Sequence, residues 1–273
     1  MIKRLITAII GLPIVVLVFA LGNKYIMDVL LALVAIISMY EYTKCVGSKN
    51  VKPIKWVSYL VAALISIIHL IPFEILPIAF TYLIPVLLLV LFLHVIVTDM
   101  KITFEDIAYT FIGILYVVPL IASVAMIYGM DGDVSGKILI WYALIAAWGT
   151  DTFAYLVGKT FKLGKHKFSK VSPKKSIEGC VAGVFGAILT ALIYTFAINS
   201  LMGLSISYLT MGLICAALSV VGQVGDFAAS VIKRHFEVKD YSNIFPGHGG
   251  MLDRIDSVMF IAPFAYLLLM LFV

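Results

Sequence analysis

Two carboxylates interrupt apolar stretches in the C-terminal half of this chain. Asp226 lies in VVGQVGDFAASVIKR and Asp151 in AAWGTDTFAYLVGK. Ionisable groups inside such stretches are costly and mark functional sites when present. Asp226 stands seven residues before Lys233, and Asp151 eight before Lys159. On helical rise they reach about 10 and about 12 Å from the same boundary. Two further acids, Asp253 and Asp256 in GMLDRID, are three apart and share one helix face. Like charges so close repel unless a cation sits between them. Three hard oxygen donors, Asp226, Asp253 and Asp256, suit Mg²⁺. The alternatives stay open: Asp151 and Asp226 as polar contacts between helices, and the Asp253–Asp256 pair as solvated surface relieved by Arg254.

The chemistry that needs a hard cation often involves phosphate, and a second segment supplies lysines for it. It reads KTFKLGKHKFSKVSPKKSIEG, 159–179. Ser172-Pro173 is an N-cap and first-turn pair, which predicts a helix starting there with Lys174 and Lys175 in its first turn. Cations are poorly placed at a helix N-terminus unless an anion binds. Ordinary cytoplasmic lysines are the other reading. Glu178 follows as a further metal or nucleotide contact. Gly179, Gly183 and Gly186 are expected to serve helix packing. Gly249 and Gly250 permit close backbone approach and offer N–H groups to an anion. His248, set among these glycines, is either a general base or a hydrogen-bonding residue. Asp28 snorkels or pairs with Lys24 and is given no role. His69 and His94 are expected to be satisfied core residues.

The elements that must position these groups are helices in a bilayer. Of 273 residues, 63% are hydrophobic and only 13% charged, about half the charge of a soluble domain. Nine spans are expected, near 5–22, 25–42, 56–72, 76–97, 104–128, 138–158, 177–198, 207–232 and 257–273. The fold class is therefore an all-α integral membrane protein, a polytopic bundle of about nine transmembrane helices. Alternate loops divide the basic residues 18 to 2, with only Lys24 and Lys137 on the poorer side. The positive-inside rule then places the N-terminus and both long polar loops in the cytoplasm and the C-terminus outside. The formal net charge of +5 follows from those loops, with no nucleic-acid partner. Residues 1–135 hold about five spans. Residues 136–273 hold about four, with the candidate site and two cytoplasmic loops. Cys45, Cys180 and Cys215 lack metal spacing.

One match is more specific. The run SVIKRHFEVKDYSNIFPGHGGMLDRID, 230–256, resembles the signature of the CDP-diacylglycerol synthases, or phosphatidate cytidylyltransferases, in their bacterial form. Ser230, Lys233-Arg234, Lys239-Asp240, Pro246, His248-Gly249-Gly250, Asp253-Arg254 and Asp256 all stand at the family's spacing. DTFAYLVGK and SPKKSIEG upstream extend the likeness over about residues 145–260. The resemblance implies an inner-membrane enzyme that joins CTP and phosphatidate into CDP-diacylglycerol and pyrophosphate with Mg²⁺. A second, monovalent cation is associated with the family. Asp226, Asp253 and Asp256 would hold the metal centre, and Lys174 and Lys175 would contact phosphate. Asp151, Ser172, Glu178, Lys233, Arg234, Lys239, Asp240, Gly249, Gly250 and Arg254 would line the site. Assembly as a homo-oligomer is left open.

Two other functions fit parts of this pattern. A CTP- or ATP-dependent lipid-alcohol kinase would share acidic and basic loops but not the signature. An ion-coupled transporter would use Asp151 and Asp226 as coupling sites, yet the acids lie toward one side and no internal repeat is evident. Transfer to a CDP-alcohol would need a D-G-x-x-A-R run, which is absent.

Overall fold

The computed structural model describes residues 13, 15–72, 74–160, 172, 175–245, 247 and 249–273. Those residues form helices and no strand longer than an isolated bridge. The helices are α1 (Lys24–Val46), α2 (Lys55–Ala63, continued by a 3-10 segment Leu64–Leu70), α3 (Leu76–Val97) and α4 (Phe104–Tyr128). They continue with α5 (Gly136–Thr160), α6 (Ile177–Met202), α7 (Tyr208–His235) and α8 (Leu252–Phe272). Residues 15–21 are also helical, and the rest of the first expected span lies largely outside the described residues. Six helices are long and apolar enough to cross a membrane: α1 with its extension to Lys49, α3, α4, α6, α7 and α8. Lys55–Leu70 is apolar but shorter. α5 has 25 residues, but Trp148, Gly149, Thr150, Asp151 and Thr152 break its apolar run.

The chain forms two compact units. The first comprises Met1–Ala125 and His235–Arg254, the second Met126–Arg234 and Ile255–Val273.

In the first unit each helix start has a local cause. The Asn23 side chain accepts the Ile26 N–H at 2.9 Å and opens α1. Thr103 and Asp106 cap α4 reciprocally: Asp106 N–H donates to Thr103 Oγ1 at 3.2 Å, and Thr103 N–H to Asp106 Oδ2 at 2.8 Å. The same Asp106 accepts Lys52 N–H at 2.6 Å, while Thr110 Oγ1 accepts Ile54 N–H at 2.9 Å. These bonds tie the 51–54 connection to α4. Gly113 lies against the Tyr42 ring, whose hydroxyl donates to Tyr109 O at 3.1 Å. Asp28, fully buried, pairs with His69 rather than Lys24, with Nδ1 to Oδ1 at 2.6 Å. His69 is thus satisfied, as expected of it.

In the second unit small residues bring α5 and α6 together. A Cβ at Gly183 would lie 2.9 Å from Thr150 Cγ2, and one at Gly186 would overlap Phe153. Gly183 and Gly186 therefore serve packing, as the sequence predicts. Deeper in the unit Tyr142 and Thr195 share a hydroxyl hydrogen bond of 2.9 Å.

Candidate active site

Asp226 on α7 and Asp256 on α8 belong to the second unit, and a glycine pair brings their helices close. A Cβ at Gly225 would stand 2.7 Å from Phe260 Cβ and 2.8 Å from Asp256 O. One at Gly222 would stand 2.7 Å from Ile261 Cδ1. The bare backbone of α7 therefore admits α8 at the level of the acids. Asp256 is buried, and its Oδ1 accepts the Ser257 N–H at 2.8 Å. The charges of Asp226, Lys233 and Asp151 all act on it. Three carboxylates and a lysine that the sequence singled out separately thus share one electrostatic neighbourhood.

Lys175 completes that neighbourhood. Its ammonium is ion-paired with Asp226 and lies over the Phe227 ring, 4.7 Å from the centroid. A polar seam fixes the surrounding helices. Thr150, beside Asp151, shares a 2.6 Å hydrogen bond with Ser219 of α7. Gln223 Nε2 donates to Cys180 O of α6 at 3.2 Å and to Ser219 Oγ at 3.4 Å.

The start of α6 corrects one expectation. The helix begins at Ile177, with Ser176 as N-cap accepting the Gly179 N–H at 3.1 Å, and not at Ser172-Pro173. Lys175 precedes the helix, in a turn whose N–H donates to Ser172 O at 3.1 Å. The physical reason is polarity. The later start leaves Glu178 in the first turn, where an acid is favoured, and leaves Lys175 outside it and paired to Asp226. Lys174 lies outside the described residues.

The glycine-rich segment belongs to the first unit, where two carboxylates gather its backbone. Asp253 Oδ2 accepts the N–H groups of Tyr241 and Gly250, both at 2.9 Å. Glu41 of α1, fully buried, accepts Ser242 Oγ at 2.5 Å and Met251 N–H at 2.9 Å through Oε1. Its Oε2 accepts the Leu252 N–H at 2.8 Å. Phe245 N–H closes the segment on Gly249 O at 3.0 Å. Gly249 has φ +84°, a conformation suited to glycine. A Cβ at Gly250 would meet the Glu41 carboxylate at 2.5 Å. The close approach expected at these glycines is thus made by the chain's own acids. Tyr241 is buried beside them, and burial pushes its phenol well above the usual range, with Tyr116 acting in the same direction.

Of the remaining expected residues, Lys233 is half-buried, while Arg234, Lys239, Asp240 and Arg254 are exposed. His248 lies outside the described residues. Among the described residues no three His, Cys, Asp or Glu side chains are grouped closely enough to ligate one ion. Glu41 escaped the sequence reading. Its signal was there, an acid in the last turns of an apolar run, of the kind that singled out Asp226.

Comparison with known proteins agrees with this geometry. The model of the Cytidylyltransferase family matches residues 2–272. A phosphatidate cytidylyltransferase of Bacillus subtilis (strain 168) is 38% identical over 185 residues, 67% of this chain and 66% of the relative. One of Staphylococcus aureus (strain COL) is 34% identical over 273 residues, 97% of this chain and 98% of the relative. One of Staphylococcus epidermidis is 33% identical over the same shares. The chain belongs to the cytidylyltransferase family.

Proposed function

We propose that this protein transfers the cytidylyl group of CTP to phosphatidate, giving CDP-diacylglycerol and pyrophosphate. The observation that carries this reading is the cluster of Asp226, Asp256, Asp151, Lys175 and Lys233 in one neighbourhood, within a chain of the cytidylyltransferase family. In the reaction an oxygen of the phosphatidate phosphate attacks the α-phosphorus of CTP. A new O–P bond forms, the bond from the α-phosphorus to the α,β-bridging oxygen breaks, and pyrophosphate leaves with that electron pair. A phosphate monoester is already ionised near neutral pH, so no side chain has to remove a proton. This frees His248 from a base role. Lys175, with Lys174 beside it in sequence, offsets charge on the departing pyrophosphate.

The donor set fits Mg²⁺, which is commonly held by one or two carboxylates together with substrate phosphates and water. Asp226 and Asp256 are those carboxylates. The ammonium of Lys175 on Asp226 supports the fit, since that oxygen already takes a hard cationic partner. Bound there, Mg²⁺ would neutralise phosphate charge and align the reacting oxygens. Asp253, expected in the same set, commits its Oδ2 to the Tyr241 and Gly250 amides.

The chain crosses the bacterial membrane nine times, with its N-terminus in the cytoplasm. The 18 to 2 division of basic residues supports this. The 3-10 segment supports it too. At a rise of about 2.0 Å per residue it lengthens the short helix Lys55–Leu70 toward a span. The test is incubation of purified protein with CTP, phosphatidate and Mg²⁺, followed by lipid analysis. CDP-diacylglycerol should form, and a chelator should stop it. No lipid product with Mg²⁺ present would overturn the assignment.

A further inference from the structure

The carboxylate of Glu41 takes three donors from a segment about 200 residues further along the chain. Two are the amides of Met251 and Leu252, at the point where α8 starts, and the third is the Ser242 hydroxyl. The first N–H groups of a helix have no partner within it. Here the acceptor comes from another helix, and it carries negative charge at the positive end of α8. Two further contacts dock the same segment on the end of α1. Ser48 Oγ donates to Phe236 O at 3.4 Å, and Lys49 pairs with Glu237 at 3.4 Å. Those two are at the surface, whereas Glu41 is fully buried. Gly250 adds an independent sign, because its missing side chain is what lets Glu41 reach the Met251 and Leu252 amides.

We infer that Glu41 is a positioning residue for catalysis. From α1 it sets the conformation of the signature segment 241–252 and the point at which α8 begins, and so the register of Asp253 and Asp256 along that helix. Its action is indirect, through backbone, and the inference rests on the reaction proposed above. Two carboxylates share the task from opposite sides: Asp253 takes the Tyr241 and Gly250 amides, and Glu41 takes the next two amides in line. Loss of Glu41 leaves the segment attached by Asp253 and the surface contacts, so α8 forms with a frayed first turn.

The test uses full-length protein in detergent or nanodiscs, with Glu41→Gln, Glu41→Asp, Glu41→Ala and Ser242→Ala. Glutamine keeps the shape but turns an –NH₂ toward N–H or O–H donors. Amide exchange at Met251 and Leu252 should become about tenfold faster or more in Glu41→Gln. The kcat for CDP-diacylglycerol should fall by a similar factor while the melting temperature stays close to wild type. Glu41→Asp keeps the charge but is one methylene short and should restore part of both readouts. Ser242→Ala removes one of the three bonds and should fall between wild type and Glu41→Gln. If Glu41→Ala fails to fold, the other three variants decide. A merely structural role would lower the yield or the melting temperature of Glu41→Gln but leave kcat per folded molecule intact, and that result overturns the inference. Wild-type exchange at both amides in Glu41→Gln overturns it as well. Absence of lipid product from wild type would sink the reaction assignment instead, and the exchange data would still decide whether Glu41 holds the segment.

Discussion

Replacing Gly225 by alanine should separate the two aspartates on α7 and α8. The new methyl would stand 2.7 Å from Phe260 Cβ and 2.8 Å from Asp256 O. Ordinary contact needs about 3.5 Å or more, so α8 must retreat by roughly 0.7–0.8 Å. Both obstacles lie on or next to backbone, so no flexible side-chain tip can give way. Overpacking of this kind costs about 1–3 kcal/mol. Alanine in a helix interior returns about 1 kcal/mol over glycine, leaving a net loss near 0–2 kcal/mol. Activity should suffer more, because a displacement near 1 Å at reacting groups costs on the order of 10²-fold. Gly212→Ala is the control: its Cβ would lie 3.7 Å from Leu192 Cδ2 and 3.8 Å from Ile188 Cγ2, an ordinary fit. Product formation and thermal unfolding of both variants should be measured in one detergent. A Gly225→Ala enzyme as active and as stable as Gly212→Ala would refute the reasoning.

Other substitutions probe the charges directly. Asp226→Asn and Asp256→Asn keep shape but remove charge; each should lower kcat by about 10²-fold or more with normal purification, and near-wild-type rates in both would refute their role as cation ligands. Lys175→Met should lower kcat/KM for CTP by at least about tenfold. Its melting temperature should change little, since the pair with Asp226 is partly exposed and such pairs contribute about 1 kcal/mol or less. A large loss of stability without loss of kcat/KM would make Lys175 structural. A single cysteine at Lys239, in a background without Cys45, Cys180 and Cys215, should resist an impermeant thiol reagent in intact cells and react after permeabilisation. Labelling in intact cells would invert the topology.

Much of this arrangement was legible because charge is scarce in the chain. With few ionisable groups in the apolar stretches, Asp151, Asp226 and Asp256 were few enough to single out one by one, and they meet with Lys175 and Lys233 in one neighbourhood. The packing glycines Gly183 and Gly186 were legible from their spacing. The start of α6 was not, because Ser172 and Ser176 are both good caps by local propensity. What separates them is the pairing of Lys175 with Asp226, a contact 51 positions along the chain. Glu41 was missed for a related reason. Its partners Ser242, Met251 and Leu252 are 201 to 211 residues away, and three of its four contacting groups are backbone or small hydroxyl, which carry no pattern of their own. The partner of Asp28 is likewise 41 residues off, and the nearer Lys24 was the misleading neighbour.

The central claim is that a cytidylyl group moves, with cleavage between the α- and β-phosphates of CTP. Purified protein with phosphatidate and Mg²⁺ should be given CTP labelled in either the α- or the γ-phosphate. The account predicts α-label in lipid and γ-label only in pyrophosphate. Appearance of γ-label in the lipid would mean transfer of the terminal phosphate, and it would contradict the account.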